Sequence, residues 1–271
     1  MSNQNCDTRA PQPPGSLCDT KNCLIQFDGY WWWTNYPFNI SGSGYWFNNQ
    51  QWDPRLVTAD NEGLHLKMEQ TMIPGAPQKQ WSSTEVLLWG KVEDANGDTP
   101  PKRFYPGYGT YLVAAQTNGS FNTLANNCCF GAFTYRFDED GSQKNRHHEL
   151  DIVEISRWGN LGDATNAQFT LQPWQGNVHR ITLADKGQVT LVMNWPGPRE
   201  LVTFSVYYGI FGLDSLPAKA DITWTISDAQ KDFIPTDECQ TVHLNLWREP
   251  AHVIPNGNQE VIVKKFQFKA V

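Results

Sequence analysis

From residue 63 onward the chain consists of short apolar runs separated by turn residues, and this pattern limits the folds that it can adopt. In the first run, Leu64, Leu66 and Met68 alternate with polar residues, which is typical of a strand with one buried face. Further strands are predicted at 86–89, 110–116, 131–137, 149–155, 167–171, 189–195, 202–208, 222–226, 241–247 and 261–268. Many short strands without a long amphipathic helix predict an all-β sandwich or barrel.

The length and composition indicate one β domain with an aromatic surface. Sandwiches of 271 residues are routinely single domains, and no repeat or flexible linker divides the chain. Twelve tryptophans exceed the needs of one core, and indole rings can stack on the apolar faces of sugars. The net charge of -7 argues against a nucleic-acid partner, and no apolar stretch is long enough to span a membrane.

One predicted strand carries three carboxylates within an apolar run, at Glu149, Asp151 and Glu154. Side chains alternate between the faces of a strand, so regular geometry places Glu149 and Asp151 on one face but turns Glu154 into the core. Burying an unpaired carboxylate costs several kcal/mol. A β-bulge at Ile152 and Val153 adds one residue and returns Glu154 to the face of the other acids. The sequence therefore predicts a bulged strand with three aligned acids.

Aligned carboxylates have a specific chemical use. Like charges at close range titrate as a coupled set, so that one carboxyl stays protonated near neutral pH while another is ionised. Cleavage of a glycosidic bond requires such a pair. Backbone spacing alone does not distinguish the carboxylate separation of a retaining enzyme from that of an inverting one.

The run from Glu149 to Glu154 resembles the E-[ILV]-D-x-x-E signature of glycoside hydrolase family 16, in the bulged form typical of laminarinase-like β-glucanases. The resemblance implies a concanavalin A-like β-jelly roll and a retaining mechanism that needs no cofactor. It also implies that Glu149 is the nucleophile, that Glu154 is the general acid/base and that Asp151 assists between them.

Other segments resemble the strands of this family, in the same order. The family's strands YSSGxIxT, YGxFExRxK, xAFWL, LxLNLAxG and MxVDYVRVY are matched by residues 81–86, 108–116, 131–134, 243–247 and 261–264. The resemblance covers residues 24–271, which we expect to form the catalytic domain, and leaves 1–23 as an N-terminal extension rich in Pro and Cys. Lys264 stands where the family often has an Asp that holds a structural calcium, which argues against that site; no metal is expected at the catalytic carboxylates.

Five residues near the acids are candidates for substrate binding. Trp158 follows the acidic strand directly and is expected to wall a sugar subsite, and the resemblance places the strands of Trp174 and Trp247 beside it. His148 is expected to flank or tune the acids. Arg157 is expected to bind sugar hydroxyls or to pair with the carboxylates.

The cysteines and the N-terminus bear on localisation. Six cysteines without metal-ligand spacing favour disulfides and an oxidising compartment; they are Cys6, Cys18, Cys23, Cys128, Cys129 and Cys239. The first residues have neither the basic nor the apolar segment of a signal peptide. We therefore expect a secreted protein whose signal has been removed.

Together these observations predict a monomeric, secreted endo-β-glycanase that cleaves β-1,3-glucan or mixed-linkage β-1,3-1,4-glucan by double displacement. Two alternatives remain open at this point. A glycan-binding protein on the same fold would bind polysaccharide without releasing reducing ends. A transglycosylase would pass the bound sugar to another sugar and make products longer than its substrate. The exact sugar and linkage are not encoded in any motif, because loops form the subsites.

Overall fold

The computed structural model describes residues 24–34, 52–72, 77–94, 103–124, 127–136, 144–160, 162–236, 239–248 and 257–271. The strands in chain order are β1 Leu24–Phe27, β2 Tyr30–Thr34, β3 Val57–Asp60, β4 Gly63–Thr71, β5 Gln80–Ser82, β6 Thr84–Lys91, β7 Gly109–Thr117, β8 Cys128–Tyr135, β9 Leu150–Ile155, β10 Ala167–Leu171, β11 Val178–Ile181, β12 Gln188–Trp195, β13 Thr203–Tyr208, β14 Ile222–Thr225, β15 Thr241–Arg248 and β16 Gln259–Ala270. The helical segments of these residues are short 3-10 turns at Pro54–Leu56, Val92–Asp94, Phe121–Thr123 and Asp228–Phe233.

The strands form two antiparallel sheets that pack as a sandwich. The first sheet has the order β1-β2-β6-β15-β8-β9-β10-β11, and the second has the order β14-β13-β12-β7-β16-β4-β3 with β5 paired to β4. The all-β sandwich predicted from the sequence is confirmed. Within the described ranges, no helix has the length and apolar character to cross a lipid bilayer.

The hydrophobic core lies between the inner faces of the two sheets. In β8 the side chains of Phe130 and Ala132 are fully buried in this core, whereas Gly131 and Phe133 lie on the opposite face and line a cleft. Phe204 of β13 contributes from the second sheet. Alternation along β8 therefore divides the first sheet into a core face and a cleft face.

Every strand predicted from the periodicity is present, and five further strands are not among those predictions: β1, β2, β3, β5 and β11. The turn between β1 and β2 is made by Asp28 and Gly29, which both have positive φ, at 49° and 81°. Asp-Gly is a strong hairpin signal, so this hairpin was detectable in the sequence. The five missed strands are three to five residues long, too short to show clear periodicity.

Two of the six cysteines correct the disulfide prediction. Cys128 and Cys129 are buried free thiols, so the prediction is wrong for this pair. Burial raises the pKa of the Cys128 thiol to about 12, with a smaller opposing effect from the charge of Arg248. Cys6, Cys18 and Cys23 lie outside the described residues, as does the whole predicted extension 1–23.

Lys264 occupies the position at which the resemblance to family 16 would place a structural calcium. Its Nζ lies 3.1 Å from Glu62 Oε2, so the position presents a cation that is already paired with a carboxylate. A bound calcium would be repelled by the ammonium group. The residues at this position therefore do not fit a calcium site.

Candidate active site

An open cleft of about 270 Å³ lies on the outer face of the first sheet. Glu149, Asp151 and Glu154 line it together. Its other lining residues include Trp52, Glu85, Phe133, Tyr135, Gln172 and Trp247. The cleft thus combines a set of carboxylates with aromatic rings, which is the composition of a site that binds a polar ligand with apolar faces.

A bulge in β9 aligns the three acids. Against β8, Glu154 pairs with Gly131 and Asp151 pairs with Phe133, so three steps along β9 match only two along β8. The register against β10 shifts in the same interval. Ile152 and Val153 are both completely buried. The structure therefore has the bulge expected from the sequence, and its effect is to leave the acids on the cleft face.

The backbone and side chain of Glu149 are held from the loop before β9. Asn145 Oδ1 accepts a hydrogen bond from the Glu149 amide at 3.2 Å, and Asn145 Nδ2 donates to the Glu149 carbonyl at 2.9 Å. The carboxylate oxygen Oε2 lies 3.3 Å from Nδ1 of His147. This contact raises the pKa of His147, because the carboxylate stabilises the protonated imidazole.

Asp151 lies deepest of the three acids, with 1% of its surface exposed. Burial raises its pKa well above the ordinary value, and the charges of Glu154 and Glu149 raise it further. Its carboxyl group shares a hydrogen bond with Glu149, and Gln172 Nε2 donates to its Oδ2 at 3.3 Å. The raised pKa favours the protonated form of Asp151, which can donate this hydrogen bond to Glu149.

Glu154 is held by two donors from β10. Gln168 Nε2 donates to Glu154 Oε2 at 2.7 Å, and Thr170 Oγ1 donates to the same oxygen at 2.9 Å. Burial nevertheless raises the pKa of Glu154, and the charge of Glu149 adds to that effect, while the two hydrogen bonds oppose it. The raised pKa means that Glu154 holds a proton more readily than an ordinary glutamate.

Gln168, Thr170, Gln172 and Glu85 are site residues that were not predicted from the sequence. Gln168 and Thr170 alternate with Ala167, Phe169 and Leu171 along β10, so their shared face was readable. That this face meets Glu154 follows only from the pairing of β10 with β9. In the cleft, Glu85 Oε1 lies 3.0 Å from His243 Nδ1, an interaction between strands far apart in sequence.

The three predicted tryptophans lie around the cleft in different ways. Trp247 lines it, and the ring of Trp158 lies 5.8 Å from that of Trp247. Trp174 is 59% exposed, and its backbone amide donates to Gln172 Oε1 at 3.0 Å. Because Gln172 also contacts Asp151, the Trp174 loop is tied to the acids.

The other two predicted binding residues lie away from the cleft. His148 is completely buried and has a positive φ of 44°, and its Nδ1 lies 3.3 Å from Arg136 Nη2. Arg157 donates to the carbonyl of Asp163 and to Asn122 Oδ1. The structure thus places His148 in the interior and Arg157 against the loop after β9, and neither is among the described residues that line the cleft.

Comparisons with known proteins show the fold and no closer relationship. No model of a protein family matches the chain, and no curated protein matches its sequence. Among solved structures, a prokaryotic β-1,3-1,4-glucanase (lichenase) from a mouse hindgut metagenome is similar at a TM-score of 0.57 and 17% identity, covering 91% of this chain and 96% of that one.

Two further structures are similar to the same extent. The laminarinase catalytic domain of Thermotoga maritima has a TM-score of 0.56 and 12% identity, covering 89% of this chain and 91% of that one. An immunostimulatory antigen and pseudo β-1,3-glucanase of Mycobacterium tuberculosis has a TM-score of 0.52 and 15% identity, covering 96% and 95%. At these identities the likeness shows that the chain shares the sandwich fold of β-glucanases.

Proposed function

We propose that the protein is a secreted, monomeric endo-β-glycanase that hydrolyses β-1,3-glucan or mixed-linkage β-1,3-1,4-glucan with retention of configuration. One observation carries the proposal: Glu149, Asp151 and Glu154 line the same open cleft because β9 is bulged. The fold neighbours, a lichenase and a laminarinase, support the substrate class. Residues 24–271 would form the catalytic domain.

In the proposed reaction, ionised Glu149 attacks the anomeric carbon while Glu154 gives its proton to the departing glycosidic oxygen. The bond between the sugar and that oxygen breaks as the bond to Glu149 forms. Glu154, now ionised, then takes a proton from water, whose oxygen displaces Glu149 from the anomeric carbon. The hydrogen bond from protonated Asp151 orients Glu149 in both steps and stabilises its charge when it leaves.

The shape of the cleft supports cleavage of bonds within a long polysaccharide chain. A polar floor runs across the strands from Glu154 past Gly131 and Asn245 to Glu85, following the register of β9, β8, β15 and β6. Three strand spacings of about 4.8 Å give this floor a length of roughly 14 Å. Several consecutive sugars of a polysaccharide would therefore lie along it.

The charge of the cleft supports an uncharged glycan. Among its described lining residues the acids are Glu85, Glu149, Asp151 and Glu154, and none of these lining residues is Lys or Arg. A sulfated or uronic acid polymer would meet repulsion without a counter-charge. A neutral glucan would meet hydrogen-bond acceptors for its hydroxyl groups.

Secretion is proposed from the sequence, because cysteines without metal-ligand spacing favour disulfides, which persist in oxidising compartments.

The test is to compare the wild type with Glu149→Gln and Glu154→Gln on laminarin and lichenan. Each variant should keep the wild-type Tm within a few degrees and lose all but a trace of reducing-sugar release, since amides can neither attack nor donate the proton. Glu260→Gln on the other sheet is the matched control and should keep full activity. Substantial hydrolysis by Glu149→Gln would disprove the nucleophile assignment, and ¹H NMR of the first product should show the β-anomer.

A second candidate, a non-catalytic glycan-binding protein, is favoured by the pseudo β-1,3-glucanase among the fold neighbours. It predicts that the wild-type protein is pulled down by an insoluble β-1,3-glucan. It also predicts that the protein releases no reducing ends from laminarin during long incubation. The same assay separates a transglycosylase, which would yield oligosaccharides longer than a defined starting oligosaccharide.

A further inference from the structure

Two side chains fix the orientation of the amide that contacts Glu154. Gln168 Oε1 accepts hydrogen bonds from Trp158 Nε1 at 3.1 Å and from Arg180 Nη1 at 3.0 Å. Its Nε2 donates to Glu154 at 2.7 Å and to Thr170 Oγ1 at 3.1 Å. Turning the amide over would set its NH₂ group against two donors and its oxygen against a carboxylate. The Gln168 amide therefore has a single stable orientation.

Arg180 is itself held in one place by the loop between β9 and β10. Its guanidinium donates to Thr165 Oγ1 at 2.8 Å, to the Ser156 carbonyl at 3.2 Å and to Asp163 Oδ2 at 3.0 Å. A planar guanidinium directs its donors at fixed angles, so these contacts also fix the direction of the bond to Gln168. The chain from this loop to Glu154 is a continuous set of hydrogen bonds.

The charge of Arg180 has a second effect on Glu154. Burial raises the pKa of Glu154, whereas the hydrogen bonds of Gln168 and Thr170 and the positive charge of Arg180 act in the opposite direction. A general acid that must become a base in the next step has to lose and regain its proton near the working pH. Burial alone would favour the protonated form too strongly, and the network around Gln168 offsets this.

We infer that Arg180 and Trp158 are positioning residues, which act through Gln168 to hold the Glu154 carboxyl group where it can exchange a proton with the glycosidic oxygen. The inference rests on the proposed function. It gives Trp158 a role beyond that of a subsite wall. It also gives Arg180, which is not among the described lining residues of the cleft, an influence on the acid/base group through Gln168.

The test compares Arg180→Met, Arg180→Lys and Trp158→Phe with the wild type in kcat, KM and the pH profile of kcat/KM. Arg180→Met should lower kcat about tenfold or more with little change in KM, as part of the 10²- to 10⁴-fold that a positioned acid contributes. The alkaline limb of kcat/KM should move to higher pH, because Glu154 loses a nearby cation. Arg180→Lys should return the limb toward its wild-type position without restoring kcat, because an ammonium group lacks the guanidinium fork.

Trp158→Phe keeps an aromatic ring but removes the indole N–H that donates to Gln168. The value of kcat should therefore fall by less than in Arg180→Met, and the alkaline limb of kcat/KM should stay in place. Val206→Ala, a core substitution in the second sheet, serves as the control for lost stability and should leave the limb unchanged. Wild-type kcat in Arg180→Met, or an unmoved alkaline limb, would overturn the inference.

A second measurement separates this inference from the proposed function. If the wild-type protein cleaves no glucan, the proposed function fails, but the pKa of Glu154 is still measurable by NMR titration of protein with ¹³C-labelled glutamate side chains. The Glu154 signal, assigned by its loss in Glu154→Gln, should titrate at higher pH in Arg180→Met than in the wild type. An equal titration midpoint in both proteins would refute the role of Arg180 whatever the activity.

Discussion

Ile152 and Val153 are neighbours in the sequence, yet both side chains are completely buried in the same hydrophobic core. Successive residues of a regular strand face opposite sides of a sheet. The pairing with β8 absorbs one of the two as an extra residue, and Glu154 consequently stays on the face of Asp151. The alignment of the acids thus depends on the bulge, which absorbs the extra aliphatic residue without changing the face of Glu154.

Deleting Ile152 should therefore leave a regular β9 in which Val153 fills the core position and Glu154 still faces the cleft. The lost aliphatic side chain should lower the free energy of unfolding by about 2–4 kcal/mol, and the protein should still unfold cooperatively. Urea denaturation measures this. The contrasting deletion is Ala132 in β8, where no extra residue exists; it should turn Phe133 inward and abolish cooperative unfolding. Equal losses from the two deletions would contradict this account.

The bulge was predictable because its absence would bury a charge, and a conflict of that size is visible in the sequence alone. Other residues of the site create no such conflict in the sequence. Gln168 acquires its role only because β10 pairs with β9, and Glu85 meets His243 across a separation of 158 residues. Neither proximity has a local signal, so the carboxylates were predictable while the groups that hold them were not.

His148 and Arg157, which were predicted to bind substrate, are not among the described residues that line the cleft. His148 and Arg157 are close to the acids in sequence, and proximity along the chain was the basis for assigning them to the cleft. His148 has a positive φ of 44° and is completely buried, and Arg157 lies in the loop after β9, where it contacts Asp163. The direction of a side chain outside a regular strand depends on local dihedral angles, which periodicity does not report.

Asp151 should make the protein less stable at neutral pH. Its pKa is raised on folding by burial, so the folded state binds the proton more strongly than the unfolded state. Stability from this group is present at low pH and is lost as pH rises above the ordinary aspartate pKa toward the raised one. Asp151→Asn should therefore increase the free energy of unfolding at pH 7 by on the order of 1 kcal/mol, with little gain at pH 4, while lowering kcat.

Asp53→Asn is the control, because the pKa of Asp53 is shifted in the opposite direction and its effect on stability at pH 7 should be opposite. Burial acts to raise the pKa of Asp53, but hydrogen bonds from Arg55, including Nε at 2.8 Å, outweigh it and lower the pKa. That variant should be less stable than the wild type at pH 7 and should approach it as the pH falls. Thermal unfolding of the wild type and both variants between pH 2 and pH 7 makes the comparison, because the contribution of Asp53 is lost only below the ordinary aspartate pKa of about 4. Parallel curves for the wild type and Asp151→Asn would refute the prediction.

Trp174 should contribute to binding and not to stability. Its side chain is 59% exposed, so Trp174→Ala should change the free energy of unfolding by less than about 0.5 kcal/mol. Loss of a stacking ring worth roughly 0.5–1.5 kcal/mol should raise KM for polysaccharide about two- to tenfold. Trp224→Ala should behave in the reverse way, because that ring stacks 5.4 Å from His179 and 5.5 Å from Phe204. An unchanged KM in Trp174→Ala would exclude a role as a sugar platform.

The contact between His147 and Glu149 should stabilise the protein only at pH values at which His147 is protonated. The hydrogen bond to Glu149 raises the pKa of His147, which means that the folded state holds the proton more strongly. This contribution is complete below the ordinary histidine pKa of about 6.5 and disappears as pH rises through the raised value. Because 49% of the His147 side chain is exposed, solvent screening limits the contribution to a few tenths of a kcal/mol.

His147→Gln should consequently be less stable than the wild type at pH 6, and the two proteins should converge by pH 9. The difference at pH 6 should shrink in 1 M NaCl, since an exposed ion pair is screened by salt. Urea denaturation at pH 6 and pH 9, each at low salt and in 1 M NaCl, measures the stability difference between the two proteins under all four conditions. A stability difference that grows between pH 6 and pH 9 would show that His147 acts through packing, because packing contacts do not depend on the charge of the imidazole.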